Sequence, residues 1–312
     1  MKLFWLKIYT HILYYTNSCK IQSIMSVISP AELKIRYEPL VKDLEFIAES
    51  RGIIARIIDG SDARLLVVVD GTTLVDAAAL AELQILCKEL FIVMRVNLDS
   101  AITDLDGARH LLLNIIKSRV PVACKFTDIT LSMYLADLVC IAEVVGHDDL
   151  ASGLDMPVGL RSVGSIQMAG LAHNYLGIDM YGKIARVNTG GATAHLICNG
   201  DSDAIAHGAL LATAGSYGLV VDCNGPGGPL LTAIYAKRLH LAGHHQLSGL
   251  LLNMRVDTCC VLLKLLNSTN CEEINSLGEI RKLMRLYDAE IFKRLSADSF
   301  YNTQFAAAFI LT

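Results

Sequence analysis

Eight short, almost uninterrupted apolar runs, each followed by a longer segment with helical spacing, restrict this 312-residue chain more than any other feature. The runs are 64–70 (RLLVVVD), 91–96 (FIVMRV), 121–126 (PVACKF), 138–144 (LVCIAEV), 156–161 (MPVGLR), 194–199 (AHLICN), 218–223 (GLVVDC) and 248–254 (SGLLLNM). Strands this apolar have no face to give to water, so both faces need cover, as in a parallel sheet flanked by helices. Segments such as 74–89 and 102–117 supply that cover, with apolar residues at helical intervals. An α/β fold follows. Eight strand–helix units over roughly 250 residues suit a (β/α)8 barrel, and a doubly wound open sheet would give the same alternation. No Pro- or Ser-rich linker interrupts residues 53–254, and beyond 257 the pattern is helical. The expected organisation is an N-terminal extension over 1–28, poorly ordered, a barrel over 29–256 and a helical segment over 257–312.

Composition narrows the function classes. Hydrophobic residues make up 53% and charged residues 19%, which excludes a disordered chain. The net charge of −4 argues against a phosphate-tracking nucleic-acid binder. Mean hydropathy is high at +0.44, yet no run of 18 uncharged apolar residues occurs, so no membrane span is expected. Nine cysteines, an odd number without any Cys-x-x-Cys, fit neither a zinc site nor a secreted disulfide framework. Buried reduced thiols and a cytoplasmic location are the expectation. The first 25 residues lack both an unbroken apolar core and arginine, so neither a secretory nor an organellar signal is clear, and Met25 would serve equally as a start.

In a barrel of this kind chemistry lies at the carboxyl ends of the strands. Those ends carry Asp70-Gly71-Thr72-Thr73, Arg95-Val96-Asn97, Lys125, Glu143, Arg161, Asn199, Asp222 and Asn253. Two readings stand side by side. The charges face a phosphorylated or carboxylated substrate, with arginine as the forked ligand, or they solvate the rim and pair with one another.

The segments DARLLVVVDGTTLVD, FIVMRVNL, YLADL, LASGLDMPVGLRS and ARVNTGGATAHLI, in that order, resemble class I 3-deoxy-D-arabino-heptulosonate-7-phosphate synthase (DAHP synthase, or phospho-2-dehydro-3-deoxyheptonate aldolase). Upstream, ISPAELKIRYEPL and RGIIARIIDGSDARLL resemble that family's N-terminal arm and first helix, so the likeness spans about 29–254. It implies a (β/α)8 barrel that joins phosphoenolpyruvate to erythrose 4-phosphate at the head of the shikimate pathway. It also implies a divalent metal and a dimer or tetramer.

Transferred residue by residue, the family's site is thin. Its metal-binding cysteine matches Thr72, its histidine ligand Gly225 within Asp222-Cys223-Asn224-Gly225, and its glutamate ligand Asn253; its last aspartate ligand has no match. Hydroxyl, amide and bare glycine are poor partners for a transition ion, so no metal cofactor is expected. Of the substrate-binding set, Arg95 matches an arginine, Arg161 a phosphate-binding lysine, Lys183 a histidine, and Glu143 and His147 remain. Asn199 replaces an arginine and Lys125 a glutamate. The family's Lys-Pro-Arg-Thr-Thr and Trp-Lys-Gly elements shrink to Asn97-Leu98-Asp99-Ser100, and Gly-Ala-Arg-Thr-Thr-Glu to Ile141-Ala142-Glu143. Losing that many cations should weaken phosphate binding. Arg95, Glu143, Arg161, Lys183 and Asp222 are therefore the candidate substrate-site remnants.

Three functions remain open. One is an impaired family member, a pseudoenzyme with an interaction or regulatory role, pairing with itself or with an active paralogue through the N-terminal arm. The second is a working DAHP synthase on a phosphorylated small molecule. The third is a metal-independent aldolase using Lys125 or Lys183 as a Schiff-base amine. Weaker signals read as structure. Residues 277–292 resemble the first chorismate mutase helix but suit an amphipathic docking helix. His244-His245 diverge as adjacent side chains, Cys259-Cys260 reads as buried, and the glycines at 190–191 and 225–228 match no phosphate-loop motif.

Overall fold

The computed structural model describes residues 28–71, 73–98, 104–127, 129–145, 154–161, 176–178, 184–186, 194–200, 205, 212, 218–224, 228–244, 246–253 and 256–267. The chain divides into two compact units, Met1–Arg36 and Tyr37–Thr312. In the first, helix α1 (Pro30–Arg36) begins with a reciprocal cap. The Ser29 hydroxyl donates to Glu32 Oε2 at 2.7 Å while the Glu32 N–H donates back to Ser29 Oγ at 3.2 Å.

The second unit builds its barrel from the eight apolar runs. Strands β1 (Leu65–Gly71), β2 (Leu90–Val96), β3 (Val122–Phe126), β4 (Ile141–Val144) and β5 (Val158–Arg161) come first. After a short antiparallel pair, β6 (Leu176–Ile178) and β7 (Ile184–Arg186), come β8 (Ala194–Asn199), β9 (Gly218–Asp222) and β10 (Leu247–Leu252). The ring runs β1-β10-β9-β8-β5-β4-β3-β2 and closes, every neighbour being parallel. Val67 sits beside both Ile92 and Leu250, a double pairing that removes the open-sheet alternative. The run at 138–144 is split: Ala136–Leu138 forms a 3-10 turn before β4 starts at Ile141.

Closure sorts the side chains by parity. Val68, Ala123, Ile141, His195, Val220 and Leu251 line a small internal cavity of about 20 Å³ and so mark the inward set. Gly159 belongs to it as well. A β-carbon there would lie 2.6 Å from His195 Nε2, so the imidazole occupies the space that any other residue would need.

Helices wrap the outside. Helix α3 (Leu74–Leu86) is capped by Thr73, whose hydroxyl accepts from the Asp76 N–H at 3.2 Å while Asp76 Oδ2 accepts from the Thr73 N–H at 2.9 Å. Helix α4 (Leu105–Lys117) is capped by Asp104 and buries Leu112, Leu113, Ile115 and Ile116. Fully buried within that face, Arg109 reaches Asp137 with both terminal nitrogens at 2.9 and 2.7 Å, and the Tyr134 carbonyl at 2.9 Å. Asp137 follows α5 (Ile129–Leu135). Helix α6 (Pro229–Leu241) packs on β10, and α7 (Val256–Leu266) packs on α3, where the Cys87 thiol donates to the Leu263 carbonyl at 3.8 Å.

Helix α2 (Val41–Ile58) closes the amino end. Its Arg51 donates to the carbonyls of Ala136, Val139 and Asp155, just ahead of β4 and β5, at 2.8–3.0 Å. The Ser248 hydroxyl donates to the Ile58 carbonyl at 3.3 Å, and Gly218 leaves room for Ile58. Ile47, Ile54, Ile57 and Ile58 form the buried stripe.

Among the described residues no helix is long and apolar enough to cross a membrane. Cys87, Cys124, Cys140, Cys223 and Cys259 are buried free thiols, and Cys198 and Cys260 are half-buried ones.

Candidate functional site: a charged mouth

Each strand that ends in a charge brings it to the mouth by the same parity that fills the interior. Two residues above the inward-facing Val68, Ala123, Ile141, Val220 and Leu251 stand Asp70, Lys125, Glu143, Asp222 and Asn253. Arg95 itself lines the cavity, and Arg161 stands two residues above Gly159.

The opposite charges meet. Arg95 Nε donates to Asp70 Oδ1 at 2.5 Å and its Nη2 to Asp70 Oδ2 at 3.0 Å, a bidentate fork. Its Nη1 reaches Glu143 Oε2 at 3.1 Å, and Nη2 also donates to the Asn253 carboxamide oxygen. Arg161 takes the other oxygen of Glu143 at 2.7 Å through Nε, and Asp222 Oδ2 at 2.7 Å through Nη1. Asp222 Oδ1 accepts from the Asn224 N–H at 3.1 Å, which ties the carboxylate to the end of its own strand. The result is one chain of alternating charge, Asp70–Arg95–Glu143–Arg161–Asp222, that runs round the mouth from β1 through β2, β4 and β5 to β9.

Burial strengthens the chain. The Glu143 side chain is 8% exposed, Asp222 10% and Arg95 15%, whereas Asp70 at the end is 37% exposed. Burial by itself pulls the Arg95 pKa down, but the hydrogen bond and charge of Asp70, with the charges of Glu143 and Asp222, outweigh it and leave the group above its ordinary value. Arg161 shows the same balance: burial lowers its pKa, and Glu143 with Asp222 raises it further. Both guanidiniums are thus held charged by carboxylates of the same chain. The paired chain itself carries three carboxylates against two guanidiniums, with the exposed Lys125 beside it on β3.

Of the sequence candidates, Arg95, Glu143, Arg161 and Asp222 come together in this one network. Lys183 lies outside the described residues, as do His147, Thr72, Gly225 and residues 271–312. Lys125 is exposed on β3, in register with Glu143, and Asn199 is exposed on β8 beside Asp222. Two elements of the site were not singled out from sequence. One is His195, whose only signal is its odd place in an apolar strand; the other is the pairing itself, because strand ends say which residues share a mouth but not which oxygens face which nitrogens.

No family model matches the chain. The Phe-sensitive phospho-2-dehydro-3-deoxyheptonate aldolase of Escherichia coli K12 is 30% identical over 236 residues, covering 61% of this chain and 67% of that protein. The chain belongs to the DAHP synthase family. The Trp-sensitive phospho-2-dehydro-3-deoxyheptonate aldolase of Buchnera aphidicola is 28% identical over 248 residues, covering 65% of this chain and 71% of that one. A solved structure of phospho-2-dehydro-3-deoxyheptonate aldolase from Francisella tularensis SCHU S4 matches with a TM-score of 0.64 at 18% identity, over 80% of this chain and 98% of that one, which shows the shared fold.

The divalent metal implied by DAHP synthase resemblance does not suit the described donors. Asn253, the described position among the matched ligands, has its carboxamide oxygen on Arg95, and the three mouth carboxylates each accept from a guanidinium. Among the described residues no three His, Cys, Asp or Glu side chains gather as a metal cluster. An ion there would have to strip arginine from its counter-charges before finding an anionic oxygen.

Proposed function

We propose that this chain keeps the DAHP synthase scaffold without the family reaction, acting in the cytoplasm as a metal-free, non-catalytic or regulatory homologue of the shikimate pathway enzymes. It would work as a homo-oligomer or as a hetero-oligomer with an active paralogue. The observation that carries this reading is that both mouth arginines are already paired with carboxylates of the barrel. All three nitrogens of the Arg95 guanidinium and two of Arg161 are engaged, so the phosphate or carboxylate of phosphoenolpyruvate would have to compete with carboxylates already in place. The replacement of the family's ligands at Thr72, Gly225 and Asn253 points the same way.

The test is direct. Purified protein supplied with phosphoenolpyruvate, erythrose 4-phosphate and Mn²⁺ is expected to form no DAHP above the protein-free control, and measurable turnover would overturn the proposal. An active synthase is the second reading, favoured by 30% identity to a protein named as the aldolase and by Arg95 and Glu143 both standing at the mouth. A Schiff-base aldolase would need Lys125, the exposed amine of β3; borohydride trapping with a keto substrate would label it.

A further inference from the structure

Asp222 and Asp70 stand at the two ends of the charge chain, and each covers one guanidinium. Glu143, in the middle, bridges both arginines and is the most buried carboxylate of the three. The two aspartates therefore differ from it in role: removing either leaves Glu143 to hold its arginine in place. Asp222 has a further feature. Oδ2 meets Arg161 while Oδ1 is fixed by the Asn224 N–H, so the carboxylate is oriented towards the guanidinium by its own backbone.

We propose that Asp222 is a built-in competitor, an autoinhibitory carboxylate that occupies Arg161 in place of an external anion, with Asp70 doing the same at Arg95. This rests on the reading that the mouth has lost its reaction, and it adds the reason that the surviving arginines do not bind small anions. The physical argument is one of occupancy. A phosphate approaching Arg161 must displace an intramolecular carboxylate that is already oriented and close, a competitor with a high effective concentration, and meets a paired chain that carries one more carboxylate than guanidinium. Changing Asp222 to asparagine removes that negative charge, keeps an oxygen for the Asn224 N–H and frees Arg161 Nη1. Changing Asp70 as well reverses the sign of the cluster.

The experiment is calorimetric titration of inorganic phosphate into wild-type protein, Asp222→Asn and Asp70→Asn/Asp222→Asn, at low ionic strength. The wild type is expected to bind phosphate weakly or not at all. Asp222→Asn should bind roughly ten- to a hundredfold more tightly, the worth of one hydrogen bond to a charged group, and the double variant tighter still. Adding Arg161→Gln to Asp222→Asn should abolish the gain. Folded Asp222→Asn protein with wild-type phosphate affinity would overturn the proposal. So would wild-type protein that already binds phosphate tightly through Arg161, an arm that remains decisive even if the variants do not fold. DAHP turnover by the wild type is read separately. Turnover would sink the reading of a lost reaction, whereas no turnover with no gain in Asp222→Asn would sink the competitor alone.

Discussion

Arginine does opposite work in the outer layer and at the mouth of this barrel. Arg51 and Arg109, on α2 and α4, spend their donors on backbone carbonyls and, for Arg109, on Asp137, binding helices and loops to the strands. Arg95 and Arg161, at the carboxyl ends of β2 and β5, spend theirs on three carboxylates and an amide at the rim. The first pair joins one element to another, Arg109 fully buried and Arg51 half-buried. The second pair links strand ends around the rim through the barrel's own carboxylates. Stability and site are thus written into different ends of the same strands, as the fold allows.

The largest effect that separates the two regions should come from Arg109→Ala. It leaves the Tyr134 carbonyl and Asp137 without their guanidinium and should cost about 3–5 kcal/mol of unfolding free energy, read by urea denaturation. Ile54→Ala, a cavity in the fully buried stripe of α2, should cost about 2–4 kcal/mol in the same assay, with no change in whatever the mouth binds. If either variant proved as stable as the wild type, the outer layer would not be the structural half of the comparison.

Alkaline pH gives a subtler separation. Burial pushes the Cys140 thiol from its ordinary 9.0 up to about 11, and Cys223 is also raised well above its ordinary value. Because the unfolded chain ionises first, stability is full below about 9 and is lost as pH rises towards 11. Denaturation midpoints should fall across that window, and Cys140→Ala should flatten part of the fall. The smallest effect belongs to the rim. Asp70→Asn, at a partly exposed end of the charge chain, should change stability by less than about 1 kcal/mol. A loss as large as that of Arg109→Ala would mean that the mouth is structural too.

How much of this could be read beforehand follows from where each signal originates. All eight barrel strands were legible as apolar runs because both of their faces are covered, which leaves no polar alternation to dilute them. Barrel and open sheet were not separable, since closure depends on β1 meeting β10, a pairing that no local pattern encodes. Strands β6 and β7 were missed because three-residue strands, LGI and IAR, are too short for a periodic signal. At the mouth, the strand-end rule found Asp70, Arg95, Glu143, Arg161, Asp222 and Asn253. The Arg161–Asp222 contact skips over β8 and comes only from the tilt and closure of the ring. Arg109 was invisible as a buried residue, because a charged side chain beside an apolar stripe ordinarily lies at the solvent edge.

Parity has one more consequence. Each mouth charge is the topmost inward residue of its strand and stands above an apolar layer containing Val68, Ile141 and Val220, which encloses only a small cavity. Exchanging Asp70 or Asp222, which do not line that cavity, therefore leaves the apolar layer beneath them in place. The same separation makes the chain a chassis for retooling: ligands for a chosen ion or anion can be written at those few positions without recalculating the rest.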